Sequence, residues 1–178
     1  MAASNILSTV ITAADAVPVG APISKAISKG EVFRQVGFCA MTSGDEAASV
    51  YRFARVPSNA VITSIKRFHS ATYAGVSNVY DIGVYQTSGN GGAVVDRRQF
   101  ASGVEMSGVA ASATGLESRF AYAAEAPLSG IESELWEVLG SGSDTGREYD
   151  LAMTISGAMA STAATCPVVM FIVEYSIP

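Results

Sequence analysis

The side chains with chemical potential in this chain are few and widely separated. His69 is the single histidine and stands beside Ser70, the start of a base and nucleophile pair of the hydrolase kind. No aspartate or glutamate occurs from residue 50 through 80, so the acid that orients such a histidine has to come from a distant segment. Glu134 and Glu137 lie three apart on one face of a short helix, a spacing that suits acid and base work or a divalent cation. No matching pair exists elsewhere, and the simpler reading is a solvated helix face. Trp136 could serve as a sugar platform, but Leu135 and Leu139 give it an apolar bed and favour the core. The run from Gly140 to Gly146 looks like a phosphate cradle, yet it follows a helix, precedes a strand and lacks the lysine of a P-loop. Cys39 and Cys166 fit no metal or redox spacing and read as two small buried hydrophobes. The expectation is therefore no catalytic residue, no cofactor-binding residue, no metal ligand and no cofactor.

Composition narrows the classes further. A chain of 178 residues makes one domain and buries roughly 70% of its unfolded surface without a disulfide or metal staple. With 49% hydrophobic and 15% charged residues it has the makings of a large core. A net charge of -5 removes the usual electrostatic attraction to phosphate, so nucleic acid is not an expected partner. Charge is uneven, however. Residues 50–69 carry Arg52, Arg55, Lys66 and Arg67 without an acid, and residues 125–150 carry seven acids against Arg147 alone. These segments should attract each other, within one subunit or between two. No window approaches the roughly 18 apolar residues of a membrane span, and no Lys or Arg precedes Lys25, so a soluble protein made in a reducing cytoplasm is expected.

The elements that must position these residues are strands. Residues 50–56 are rich in β-formers and stop at Pro57, Ser58 and Asn59. A second strand runs over 60–70, with Val61, Thr63 and Ile65 predicted on one face and Ile62, Ser64, Lys66 and Phe68 on the other. A third spans 79–86, and the glycines between Ser88 and Gly92 form a turn. Residues 100–130 have weak periodicity and read as loops with short strands. Ile131, Leu135, Trp136 and Leu139 recur at helical spacing, predicting one short helix near 132–139 that Gly140 ends. Residues 149–155 alternate as a half-buried strand with one wet face, and 168–177 is apolar on both faces, as in a central strand or a subunit contact. The predicted fold is all-β: an antiparallel, jelly-roll-like β-sandwich over residues 46–178, preceded by an extended N-terminal arm over 1–45 in which Pro18, Gly20 and Pro22 interrupt any helix.

The order of five segments carries a resemblance. They are Arg55-Val-Pro-Ser-Asn-Ala-Val-Ile-Thr-Ser-Ile65, Asp81-Ile-Gly-Val-Tyr85, Leu135-Trp-Glu-Val-Leu-Gly140, Asp144-Thr-Gly-Arg-Glu-Tyr-Asp-Leu-Ala152 and Val168-Val-Met-Phe-Ile-Val-Glu-Tyr175. Over roughly residues 50–178 the chain resembles the head decoration, or cement, proteins of tailed double-stranded DNA bacteriophages. The resemblance implies a subunit, commonly a homotrimer, made in the bacterial host cytoplasm. It would bind the outer surface of the mature capsid and clamp neighbouring copies of the major capsid protein. It carries over no functional residue; charge and hydropathy leave neither nucleic acid nor membrane as an expected partner. The alternative is a carbohydrate- or receptor-binding sandwich of a phage tail or fibre, with Tyr73, Tyr80, Tyr85 and Trp136 as stacking rings.

Overall fold

The computed structural model describes residues 5–7, 32–41, 47–69, 79–105, 118–120, 133–156 and 168–177. Within them are nine strands: β1 (Asn5–Leu7), β2 (Val32–Ala40), β3 (Val50–Pro57), β4 (Val61–His69), β5 (Val79–Gln86), β6 (Val94–Glu105), β7 (Ser118–Phe120), β8 (Glu148–Ile155) and β9 (Val168–Ser176). One short helix, α1 (Leu135–Val138), precedes β8. They make a five-stranded sheet, β1-β3-β8-β5-β6, and a four-stranded sheet, β2-β9-β4-β7.

The pairing has a simple generator. Antiparallel partners are β2 with β9, β3 with β8, β4 with β7 and β5 with β6, which is one long hairpin folded at the 87–93 turn. Rolling that hairpin brings β4 against β9 and β5 against β8, again antiparallel, and closes two sheets face to face. This is the jelly roll, so the all-β sandwich expected from strand alternation is the fold observed. At the fold of the hairpin Gly91 and Gly92 take φ of 94° and 66°, left-handed values that glycine adopts without a Cβ penalty.

Inward residues of both sheets form one core, including Tyr51, Phe53, Val56, Ile82, Val84, Leu151, Met153, Val169, Phe171 and Val173. Phe53 stacks on Phe171 across the gap with ring centroids 4.0 Å apart. β2 comes so close to β3 that a Cβ on Gly37 would lie 1.9 Å from the carbonyl oxygen of Phe53. Two residues away the Gln35 side chain acts as a piece of strand, donating to the Arg55 carbonyl at 2.6 Å and accepting from the Arg55 amide at 3.1 Å.

Several local expectations change in three dimensions. The arm was expected to include residues 32–40, but these form β2, paired along its whole length with β9. Residues 8–31 of that expectation lie outside the described residues. Strict alternation in β4 fails because a bulge between Ile62 and Ser64 slips the register, so that Ile62 and Ile65 both face the core. The wet face expected on β8 is dry: Asp150, Ala152 and Thr154 are buried together with Leu151 and Met153. Residues 94–105 form the long strand β6, which runs into the 100–130 segment read as loops with short strands and pairs with β5 through three register shifts. Backbone of that distorted strand lies over Gly83, where a Cβ would sit 2.1 Å from the Asp96 carbonyl oxygen.

Candidate functional site: an apolar outer face and the residues around it

Residues singled out by chemistry are mostly engaged in holding the fold. Glu134 is the N-cap of α1 and Glu137 its third residue. The Glu134 side chain accepts from the Glu137 amide, and the Glu137 carboxylate accepts from the Glu134 amide at 3.1 Å, a reciprocal capping box. The indole N–H of Trp136 donates to Glu134 Oε2 at 2.7 Å. Helix amides at Leu135 and Trp136 donate to the carbonyls of Ala60 and Ser58, so α1 is docked on the turn between β3 and β4. In the 140–146 loop, Asp144 accepts hydrogen bonds from the Ser58 hydroxyl and, at 2.9 Å, from the Gly146 amide. Those two donors hold its carboxyl below the usual aspartate range. His69 ends β4, opposite Val169. Cys39 is buried and free, and burial pushes its thiol up to about 12, which keeps it protonated. Cys166, Ser70 and Tyr73 lie outside the described residues. Among the described residues, no group of three or more His, Cys, Asp and Glu side chains is placed to hold a metal ion.

The opposed charges meet within the subunit. Asp150 receives Arg52 Nη1 at 3.0 Å and Arg55 Nε at 2.7 Å, with all three side chains at 7% exposure or less. Arg52 also donates to the carbonyls of Gln86 and Gly92, tying the 87–93 turn down over the outer face of the five-stranded sheet. It lies 5.2 Å from the Tyr85 ring, and the Tyr85 hydroxyl meets that of Thr154. Arg67 takes another course, sitting over the buried Tyr80 ring at 4.8 Å between the two sheets. Burial lowers its guanidinium from the ordinary value and raises the Tyr80 phenol, each against the pull of the other. Tyr80 and Tyr85 are thus buried parts of the fold, and neither ring is open to the stacking that the alternative reading would give it.

Further along the same outer face Asp81 joins Arg97 Nε at 2.7 Å and Arg98 Nε at 3.4 Å. Burial alone would raise its pKa. The Gly103 amide at 2.8 Å, the Ser156 hydroxyl and the two guanidiniums outweigh that, and the carboxyl sits below its ordinary value. A carboxyl held below its unfolded pKa contributes stability in full above the ordinary value of 3.8, and loses it as pH falls through the depressed value. Unfolding free energy measured against pH should therefore stay level above that range and decline below it. Asp81→Asn should remove part of the decline, and identical slopes for variant and parent would contradict this account.

The opposite outer face, on the four-stranded sheet, has a different character. Across β2, β9 and β4 the register aligns Phe38 with Met170 and Phe68, Val36 with Ile172 and Lys66, and Arg34 with Glu174 and Ser64. Val32, Phe38 and Val168 remain 66%, 48% and 42% exposed. These rows form an apolar field with a polar margin, the composition of a contact surface rather than of a reaction centre. The apolar character of both faces of 168–177, read as a central strand or a subunit contact, pointed to this face through β9. The contribution of β2 had no signal of its own, because residues 32–40 read as part of an arm.

No protein-family model matches the chain, and none of the curated proteins compared is similar to it in sequence. Likeness appears at the level of fold. A chain from the structure of the capsid of Ralstonia phage GP4 is similar with a TM-score of 0.57 and 12% identity, over 88% of this chain and 90% of that one. A chain of the cyanophage Pam1 capsid asymmetric unit is similar with a TM-score of 0.54 and 11% identity, over 89% and 97%. The jelly roll described above is therefore a fold shared with chains of phage capsids. No helix among the described residues is long and apolar enough to cross a membrane.

Proposed function

We propose that this protein is a structural component of a tailed-phage virion, which binds the outer surface of the mature capsid as a homotrimer and clamps neighbouring major capsid subunits. The observation that carries the reading is the extent of the likeness: nearly the whole chain corresponds to nearly the whole of two phage capsid chains. The correspondence runs along nearly all of each chain compared rather than over one part of it. The structural use of Glu134, Glu137, Tyr80 and Tyr85 supports it from the other side, since groups that would serve an enzyme or a sugar site are occupied in the fold.

The physical role follows from linkage. A protein that binds only the expanded lattice adds its binding free energy to that lattice alone, and so resists the internal pressure of packaged DNA by mass action. Three subunits acting together multiply modest contacts. On this reading the field around Phe38, Met170, Phe68 and Val168 meets the capsid, and residues 1–31 form the arm that reaches across a subunit boundary.

Purified protein mixed with heads lacking it should co-sediment with them in a saturable way, and light scattering should give the mass of a trimer. Phe38→Glu places a charge in the field without touching the core, and should weaken capsid binding at least about tenfold, as loss of a central apolar contact does. Wild-type protein that stays in the supernatant with expanded heads would end this proposal. Undiminished binding by Phe38→Glu would move the contact to another face.

A further inference from the structure

β1 stands outside the generator of the fold. Every other neighbouring pair of strands is antiparallel, whereas β1 runs parallel to β3 at the edge of the five-stranded sheet, with Asn5 opposite Val50, Ile6 opposite Tyr51 and Leu7 opposite Arg52. It adds to a finished sheet in the manner of a peptide that augments an exposed edge.

The place it occupies is bounded on both sides. Before it, Ser49 follows Ala48, which has a positive φ of 75° and donates its amide to the Ile155 carbonyl at 2.8 Å. After it, β3 bulges between Arg52 and Ala54, and the Gln35 side chain then occupies the backbone of Arg55. A three-residue slot at 50–52 is what the edge of β3 offers, and β1 fills that slot.

The connection that follows β1 is far longer than a return within one subunit needs. Cys39 lies beside Arg52 and Gln35 beside Arg55, so β2 begins beyond the level of Arg55 along β3. From Leu7 that is roughly 20 Å, about six to eight residues of extended chain. Residues 8–31 number 24, enough chain to span up to roughly 80 Å.

We infer that the 50–52 edge of β3 is a strand-exchange site, and that in the assembled oligomer it receives Asn5–Leu7 from a neighbouring copy of the chain. Exchange keeps every hydrogen bond of the β1 pair and ties subunits together with no new interface chemistry, the low-cost route that swapping of identical elements provides. It rests on the oligomeric part of the proposed function and not on capsid binding. An oligomer without exchange and a failure to bind heads are therefore separate results.

The test is disulfide trapping in the full-length chain. Asn5→Cys and Val50→Cys, made in separately tagged chains, are mixed, dissociated, reassembled and oxidised. A disulfide-linked pair carrying both tags is expected on a non-reducing gel, and it should be absent with either single variant alone. The double variant in one chain should likewise give linked multimers. Quantitative formation of an intrachain disulfide in monomers would overturn the inference, as would free thiols throughout. Ile6→Pro, which removes a ladder amide, supplies a second readout: the oligomer mass should fall while the far-ultraviolet β signal is kept. An unchanged mass would also count against exchange.

Discussion

Asp150→Ala is expected to be among the most damaging single substitutions in this protein, costing about 3–5 kcal/mol of unfolding free energy, the usual loss when one partner of a buried ion pair is removed. The reason lies in what remains. Arg52 and Arg55 reach Asp150 from β3 while nearly inaccessible to water, and the substitution leaves two guanidiniums in the same dry region facing a methyl group. Their other hydrogen bonds hold them in place, since Arg52 is also committed to the carbonyls of Gln86 and Gly92. Asp150→Asn keeps the shape and loses the charge, and should fall between the two. Urea unfolding of the three proteins checks the series, with Asp144→Ala as a control at an exposed carboxylate. A loss at Asp150→Ala no larger than at Asp144→Ala would mean that the network contributes nothing beyond surface electrostatics.

Phe171→Ala should cost a comparable amount, about 3–5 kcal/mol, from lost burial together with the cavity left behind. Phe171 is fully buried in the middle of β9 and stacks on Phe53, which sits at the bulge of β3 in the other sheet. The pair joins the two layers beside the close approach of the β2 and β3 backbones at Gly37. Removing one ring takes the contact from both sheets, and neither can close the gap, because β9 is fixed between β2 and β4 along its length. Phe171→Leu keeps most of the volume and should cost less than about 1.5 kcal/mol. Denaturant midpoints for the two variants at constant slope decide the point, and a loss below that of Phe171→Leu in the alanine variant would show that the layers pack through other residues.

Much of this architecture was legible in the chain because its cues are local. Pro57, Ser58 and Asn59 stop one strand where Val61 soon starts the next, and the glycines after Thr87 fold the hairpin at its midpoint. Leu135, Trp136 and Leu139 marked the helical turn, which ends one residue before the expected 139 and begins at Leu135, three residues after the expected start. β6 escaped because its three register shifts and the charges of Asp96, Arg97 and Arg98 destroy the period on which strand reading depends. β2 escaped because its nine residues pair with residues 168–176, well over a hundred positions away, and nothing within the segment signals that partner. The carboxylate pair Glu134 and Glu137 was visible as a spacing, but spacing alone does not tell a cation site from a capping box. Only the orientation of both side chains toward helix amides makes that distinction.

By itself the sequence determined that the chain is a set of short strands with turn chemistry between them, one helical turn and no concentrated catalytic groups. Alternation and turn residues act within a few positions of one another, and composition is a sum over the chain. Which faces are dry was decided only by the tertiary structure. Asp150 looked like the wet side of a strand until Arg52, Arg55 and the 87–93 turn closed over it. Phe38 looked like part of an arm until β9 and β4 placed it beside Met170 and Phe68 on an open sheet face. Burial and neighbourhood in a jelly roll come from pairing between strands remote in sequence, and the free energy that selects one register belongs to the assembled sheets.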